Sequence, residues 1–270
     1  MHVEKLYNKV AQTYNQDVSG KVLDTAKQSA VQLALQQNRT FNSILALGMG
    51  DGTDLIHYVE HYPLAELHGL DISENMLERA RLLLNCKTYH GDINHAHEII
   101  NKKDFDFIIA HFVTAYVPLV SVLTECKKLS AKSGLISIVT NTMSSFPTAQ
   151  SILTDLEASH SLFTKPIAHH IRKTLKTVYV PHDLADLEKT IEVSGFKLLS
   201  LEEEKIEIRF DNEKDIFDFF INGGWFVSGI AHPFLSYKLI CRICTQLIHK
   251  FFPVPYKDEM TIAIAIAEKI

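Results

Sequence analysis

Three glycines at alternate positions, Gly48, Gly50 and Gly52, close the short apolar run SILALG (43–48) and the turn after it. Where a strand turns into a helix, glycines in this pattern let a ligand lie against the backbone, because no Cβ stands in the way. Two acids follow at the ends of later runs. Asp71 ends LHGLD about 20 residues on, the offset at which a carboxylate takes up ribose hydroxyls. Asp92 follows KTYHG and is placed to accept from an exocyclic amino group such as that of adenine. Each such charged hydrogen bond is worth roughly 1.5–3 kcal/mol. The apolar neighbours Ile72, Met76 and Ile93 could sandwich a flat base. Either acid alone reads equally well as a helix cap or a turn residue; the order and spacing of all three features point to a nucleoside.

The turn also discriminates between cofactors. The dinucleotide fingerprint is G-x-G-x-x-G, whereas from Gly48 this chain reads G-M-G-D-G-T, with Thr53 in place of the third glycine. Asp51 opposes a pyrophosphate, which needs donors and positive potential at a helix N-terminus. A cofactor with a positive sulfonium and a zwitterionic amino-acid tail meets no such opposition. A nicotinamide dehydrogenase is the weaker reading.

The elements that must position these residues alternate in type. Strand candidates are 43–48, 67–72, 87–93, 106–112 and 134–141, with helical patterns in SENMLERARLLL, which Ser73 can cap, and in LVSVLTECKKLSAKSG. That rhythm is the signature of βαβ units and a mainly parallel sheet. Residues 1–38 read as helical, and a further helix over 183–195 has Asp183 and Asp186 at its start and Gly195 at its end. Two last strands, 196–210 and 260–270, could pair antiparallel at one edge. The segment between them, 211–259, reads as a helical, aromatic-rich insertion within one domain spanning 1–270, with a helical cap at 1–41 and a cofactor-binding core at 42–142.

In these stretches the chain resembles the class I S-adenosylmethionine-dependent methyltransferases. The matching segments are ILALGMGDGT, GLDISENMLERAR, GDI and FDFIIAHFVTAYV, with YNKVAQTYN (7–15) similar to the usual opening and DLADLEKTIEVSGFKLLSL similar to the helix and sixth strand. The resemblance implies a Rossmann-like, doubly wound, seven-stranded sheet with an antiparallel last strand. It implies that Gly48, Gly50 and Gly52 contact the methionine part, Asp71 the ribose, and Asp92 with Ile93 the adenine. By the same resemblance His111 and Phe112 edge the methionine and the reacting methyl, and Tyr14 closes over the cofactor. The family usually carries an acid two residues before the first glycine; here that position is Ala46.

A sulfonium is already an activated methyl donor, so the protein's main task is alignment, for which proximity can supply ~7–11 kcal/mol. A base is needed only if the acceptor must lose a proton early. His111 and Tyr116 are the candidates, with His169 and His170 more loosely placed. Cys241 and Cys244 have C-x-x-C spacing but lie in a helical pattern with no second ligand pair, so no metal site is expected. In 232–252, Leu239, Ile243, Leu247 and Phe251 fall on one stripe, opposite Lys238, Arg242, Gln246 and His249. Such a helix either packs on the domain or rests on a membrane surface or an acyl carrier protein. With Phe219, Phe220, Trp225 and Phe226 it could form a lid over an apolar pocket, and INGGWF supplies hinge glycines.

A formal net charge of −5 over 270 residues argues against nucleic acid as partner. Four unevenly spaced cysteines and an opening without a signal-like apolar run suggest a cytoplasmic protein, and no stretch is apolar enough to span a membrane. The reading is methyl transfer from S-adenosyl-L-methionine to a small, largely apolar organic acceptor. The alternative is a protein that binds S-adenosylmethionine or S-adenosylhomocysteine without transfer, as a sensor or partner subunit.

Overall fold

The computed structural model describes residues 3–14, 17–159, 162, 164–176, 178–225 and 236–270. Its frame is a seven-stranded sheet in the order β3-β2-β1-β4-β5-β7-β6. The strands are β1 (Ser43–Leu47), β2 (Glu66–Asp71), β3 (Lys87–His90), β4 (Phe105–His111), β5 (Ser130–Asn141), β6 (Phe196–Phe210) and β7 (Tyr256–Lys269). The first five run parallel, and β7 is antiparallel to both its neighbours, β5 and β6.

The helices are α1 (Val3–Val10), α2 (Asp17–Gln36), α3 (Thr53–Val59), α4 (Glu74–Leu83), α5 (Ala96–Ile99), α6 (Leu119–Leu129), α7 (Pro147–Ala158), α8 (Thr164–Leu175), α9 (Leu184–Val193), α10 (Glu213–Phe217) and α11 (Tyr237–Phe251). A single π-helical turn, Asp218–Asn222, continues α10. One face of the sheet packs on α2, α3, α4, α10 and α11, the other on α5, α6 and α9.

The strand β7 shows how sequence makes the two layers. Its period-two alternation turns Ile262, Ile264 and Ile266 to the first face and Ala263, Ala265 and Ala267 to the second. The isoleucines, each worth about 1.5–3 kcal/mol when buried, fill the thicker layer. The alanines let α9 come close through Leu187 and Ile191. At the exposed edge β6 carries Glu202, Glu203, Glu204 and Lys205, charges that discourage pairing with another chain.

Several boundaries depart from the sequence expectation. The third strand stops at His90 rather than 93, because Asp92 caps a 3-10 turn, accepting from the Asn94 N–H at 2.9 Å. Residues 11–14 break the helical run expected over 1–38. The strand β7 starts at Tyr256, opposite Phe210, so the insertion is 211–255. Ser73 and Asp183 cap α4 and α9 as read from the sequence. In α11 the buried positions are Ile240 and Ile248, one residue along from the expected stripe, and Leu239 is 42% exposed. The arc of the helix is apolar on both stripes, and tertiary contact rather than periodicity chose between them. Residues 232–235 and Phe226 lie outside the described residues. No helix among the described residues is long and apolar enough to cross a membrane.

Candidate active site

The glycine turn leaves β1 at the C-terminal edge of the sheet. Its glycines take left-handed backbone, with φ of 73° at Gly48, 54° at Gly50 and 88° at Gly52. The three serve different ends. A Cβ at Gly48 would run into Val113, and one at Gly52 would stand 3.0 Å from the Ala80 Cβ of α4, so these positions are filled by the protein itself. A Cβ at Gly50 would meet only the Tyr14 ring edge, at 3.8 Å. Of the three, only Gly50 has space beside it for a Cβ, in the narrow gap between its backbone and the Tyr14 ring.

Asp71, at the end of β2, faces that gap and is 8% exposed. Its two oxygens accept from the N–H groups of Gly50 and Ser73, each at 2.8 Å. Burial raises its pKa, and those two backbone donors pull it part of the way back. Each oxygen keeps a second lone pair for a sugar hydroxyl. Asp92 uses Oδ1 for the cap described above and is half-buried, and Ile93 beside it is 8% exposed. Met76 is 1% exposed, so its side chain lies beneath the turn, while Ile72 is half-buried.

Under the turn lies a buried polar chain. The Lys27 ammonium donates to Thr53 Oγ1 at 2.7 Å and stands 3.7 Å from Asp54. His111 Nδ1 is 3.1 Å from Asp54, and its Nε2 is 2.8 Å from Ser137 Oγ. Burial opposes ionisation of Asp54, but Lys27 and His111 outweigh it and hold the carboxyl below its usual range. Asp51 is 2% exposed, with Thr53 Oγ1 at 2.9 Å and the Arg79 guanidinium at 3.6 Å.

This chain corrects the expectation for His111. Its side chain is fully buried and both ring nitrogens are engaged. Alternation along β4 turns it toward α3, where its ring is closed off by Asp54 and Ser137 and does not stand at the expected open end of the strand. The Ser–His–Asp order is that of a hydrolytic triad, yet none of the three lines the cavity described next.

Phe112, the next residue, leaves the strand with φ 56° and enters the wall of a cavity of about 460 Å³. Its other walls come from the end of β5, from α7, α8 and α11, and from the loop after the π-helical turn. Tyr7, Tyr14 and Tyr116 stand where the glycine turn meets this cavity. Tyr7 donates to the Tyr116 hydroxyl at 3.0 Å, and Tyr116 donates to the Gly224 carbonyl at 3.3 Å. Burial pushes Tyr116 up to about 12 and raises Tyr7 and Tyr14 as well. Tyr116 thus reaches the cavity as expected, but as a neutral phenol that positions, not as a base at neutral pH.

The helix α1 holds this junction. The Asn8 side chain accepts from Ser73 Oγ at 2.6 Å, its carbonyl accepts from Asn75 at 2.9 Å, and Lys9 lies 4.7 Å over the Tyr237 ring. Gly224 has φ 84°, and a Cβ there would meet Tyr7 and Tyr14 at 3.8 Å.

Of the expected acceptor residues, Phe220 and Trp225 line the cavity. Phe219 does not: it is 2% exposed, stacked on Trp225 at 5.6 Å and tilted against Phe210 at 5.1 Å. On a helical turn adjacent residues point apart, so only one of two neighbouring phenylalanines can face the cavity. The sequence reading missed Tyr7, Asn141 and Phe146 as site residues. The first two stand inside segments it singled out, at the chain opening and the end of the fifth strand. Phe146 had no signal. His169 projects to solvent, 77% exposed.

The strand order with its antiparallel β7, together with the glycine turn at the switch between β1 and β4, defines the class: a class I methyltransferase fold. Residues 44–134 match the family model described as "Methyltransferase domain". That match spans the glycine turn, β2 with its terminal acid, and β4, so about a third of the chain is similar to a methyltransferase domain and the whole sheet has the class I methyltransferase fold. Three solved structures share the fold. The YcgJ protein of Bacillus subtilis superposes with TM-score 0.54 at 11% identity, over 89% of this chain and 98% of that one. A candidate methyltransferase of Bacillus halodurans C-125 gives 0.53 at 13% identity, over 85% and 93%. A candidate sarcosine dimethylglycine methyltransferase of Galdieria sulphuraria gives 0.52 at 15%, over 92% and 86%. An uncharacterized protein of Rickettsia prowazekii (strain Madrid E) is 30% identical over 111 residues, which is 38% of this chain and 20% of that protein's length.

Proposed function

We propose that this protein transfers the methyl group of S-adenosyl-L-methionine to a small, largely apolar organic acceptor. The observation that carries the reading is the junction: a mostly apolar cavity of about 460 Å³ meets the glycine turn at Tyr14 and Phe112. That volume falls in the ordinary range of small-molecule sites. Gly50 and Tyr14 would bracket the amino-acid tail, and Asp71 would take the ribose. The cofactor, when bound, supplies an activated methyl on a sulfonium. The acids Asp51, Asp54 and Asp71 around the turn favour that positive charge over a pyrophosphate.

The chain's own work is alignment. Phe112, Phe220 and Trp225 exclude water and hold the acceptor, and the Tyr7–Tyr116–Gly224 hydrogen bonds fix the mouth. With His111 sealed and Tyr116 neutral, neither named candidate is a base at neutral pH. That favours an acceptor whose nucleophile is already free of its proton, or loses it late to water. It also favours the second reading, a binder of S-adenosylmethionine without transfer activity.

Calorimetric titration with S-adenosylhomocysteine, with NAD as control, tests the cofactor. Micromolar binding of the first alone is expected; binding of neither overturns the proposal. Labelled methyl transfer to a panel of apolar hydroxy, amino and carboxylic compounds then separates enzyme from binder.

A further inference from the structure

The cavity has two ends of different chemistry. Its inner end, beside Phe112, holds Trp225, whose ring is edge-on to Phe112 at 5.4 Å and stacked on Phe219 at 5.6 Å. The indole Nε1–H is buried, so it is the ring, not the N–H, that meets the cavity. The outer end is formed by α8, which packs on α7, which in turn packs on β7. Arg172, in the last turn of α8, and Lys176, just past its end with its N–H on the Arg172 carbonyl at 3.2 Å, both line the cavity. Arg172 is engaged, its Nε 3.0 Å from Glu157 and its Nη2 2.8 Å from Thr154. Lys176 has no carboxylate within ion-pair distance among the described residues. Between the two ends the wall is apolar, with Ile152, Leu153, Leu156, Leu247 and Phe252.

We infer that the cavity takes a single-chain amphiphile whose anionic head pairs with Lys176 and whose chain lies between α7 and α11, with its far end against the Trp225 ring. The inference rests on the proposed role of the cavity as the acceptor site, and it names the acceptor's class. A charge at an otherwise apolar rim selects an anion by complementarity, and a carboxylate or a phosphate satisfies it equally.

Trp225 is the one tryptophan of the sequence, so its fluorescence reports on the inner end directly. The full-length protein is titrated with octanoate, decanoate and dodecanoate, then with dodecanol and dodecyl phosphate. Affinity should rise roughly tenfold for each pair of added methylenes. Dodecanoate or dodecyl phosphate should bind at least tenfold tighter than dodecanol, the tighter of the two naming the head group. Lys176→Gln should remove that preference about tenfold while leaving dodecanol binding unchanged.

Absence of chain-length dependence, equal binding of alcohol and anion, or indifference to Lys176→Gln overturns the inference. S-adenosylhomocysteine titration of the same sample keeps the two readings apart. If it binds and no amphiphile does, the amphiphile is refuted and methyl transfer stands; the reverse result refutes the cofactor instead.

Discussion

The glycine-turn half and the helical half of this molecule are organised by contacts of different range. Around β1 to β4 the caps are local: Ser73 accepts from the Met76 N–H and Asp92 from the Asn94 N–H. In the helical half Asn212 and Ser236 cap α10 and α11 locally too, but the cavity wall is tied from afar. The first turn of α7 is capped by Asp258 of β7, which accepts from Thr148 at 2.9 Å and Ala149 at 3.0 Å across about 110 positions of chain. Tyr7 reaches Tyr116, and Ser145 Oγ donates to the Thr261 carbonyl at 2.8 Å, over similar separations. The contrast is one of range, a locally written glycine turn beside a cavity wall that exists only once the sheet has closed.

That division can be broken most severely from below the turn. Asp54→Ala strands the Lys27 ammonium, 3% exposed, without its carboxylate. A loss of about 3–5 kcal/mol is expected, read as a fall in the urea midpoint at constant slope. A change under 1 kcal/mol would mean that the buried chain is not a structural support of the turn.

Asp71→Asn comes next. It should weaken S-adenosylhomocysteine by tenfold or more, about 1.5–3 kcal/mol, without loss of helix signal. The pH dependence gives a second handle. The folded pKa of Asp71 is raised by burial, so its ionised form is full above that raised value and is lost as pH falls through it. Cofactor affinity should therefore begin to drop at a higher pH than an ordinary carboxylate would give, and Asp71→Asn should abolish that limb. An unchanged acid limb in the variant assigns the titration elsewhere.

Changes in the helical half should spare the cofactor. Phe220→Leu should cost less than about 1.5 kcal/mol of stability yet alter dodecanoate affinity severalfold, with S-adenosylhomocysteine binding within twofold. Equal effects on both ligands would erase the distinction between the halves. The smallest change is expected from Tyr116→Phe, which removes the hydroxyl between Tyr7 and Gly224 and should lower stability by about 0.5–1.5 kcal/mol. Because burial holds that phenol neutral well past neutrality, the variant should leave the pH profile of any transfer unchanged below pH about 9.

Legibility followed the range of the contacts. The strand β6 was readable to the residue, because alternation and flanking turns are local, and the caps of α4 and α9 were readable for the same reason. The helices α7 and α8 gave no signal: the first is capped from β7, and the two bury Leu153, Leu156 and Ala168 mainly against each other. The periodicity of α11 was correct in type and wrong in phase by one residue, since both stripes are apolar and only its neighbours favour Ile240 and Ile248. His111 was legible as the end of β4 but not as a buried hydrogen-bonding residue. Its partners, Asp54 and Ser137, come from α3 and β5.

By itself the amino-acid sequence determined the alternation of strands and helices, the glycine turn and the acid that ends β2, because each depends on residue spacing within one unit of structure. Tertiary structure alone decided which glycine the protein does not crowd, that His111 is sealed, that Phe220 rather than Phe219 faces the cavity, and that Lys176 stands at its rim. Those outcomes depend on which surfaces meet when distant segments pack, and no local pattern of residues encodes the meeting.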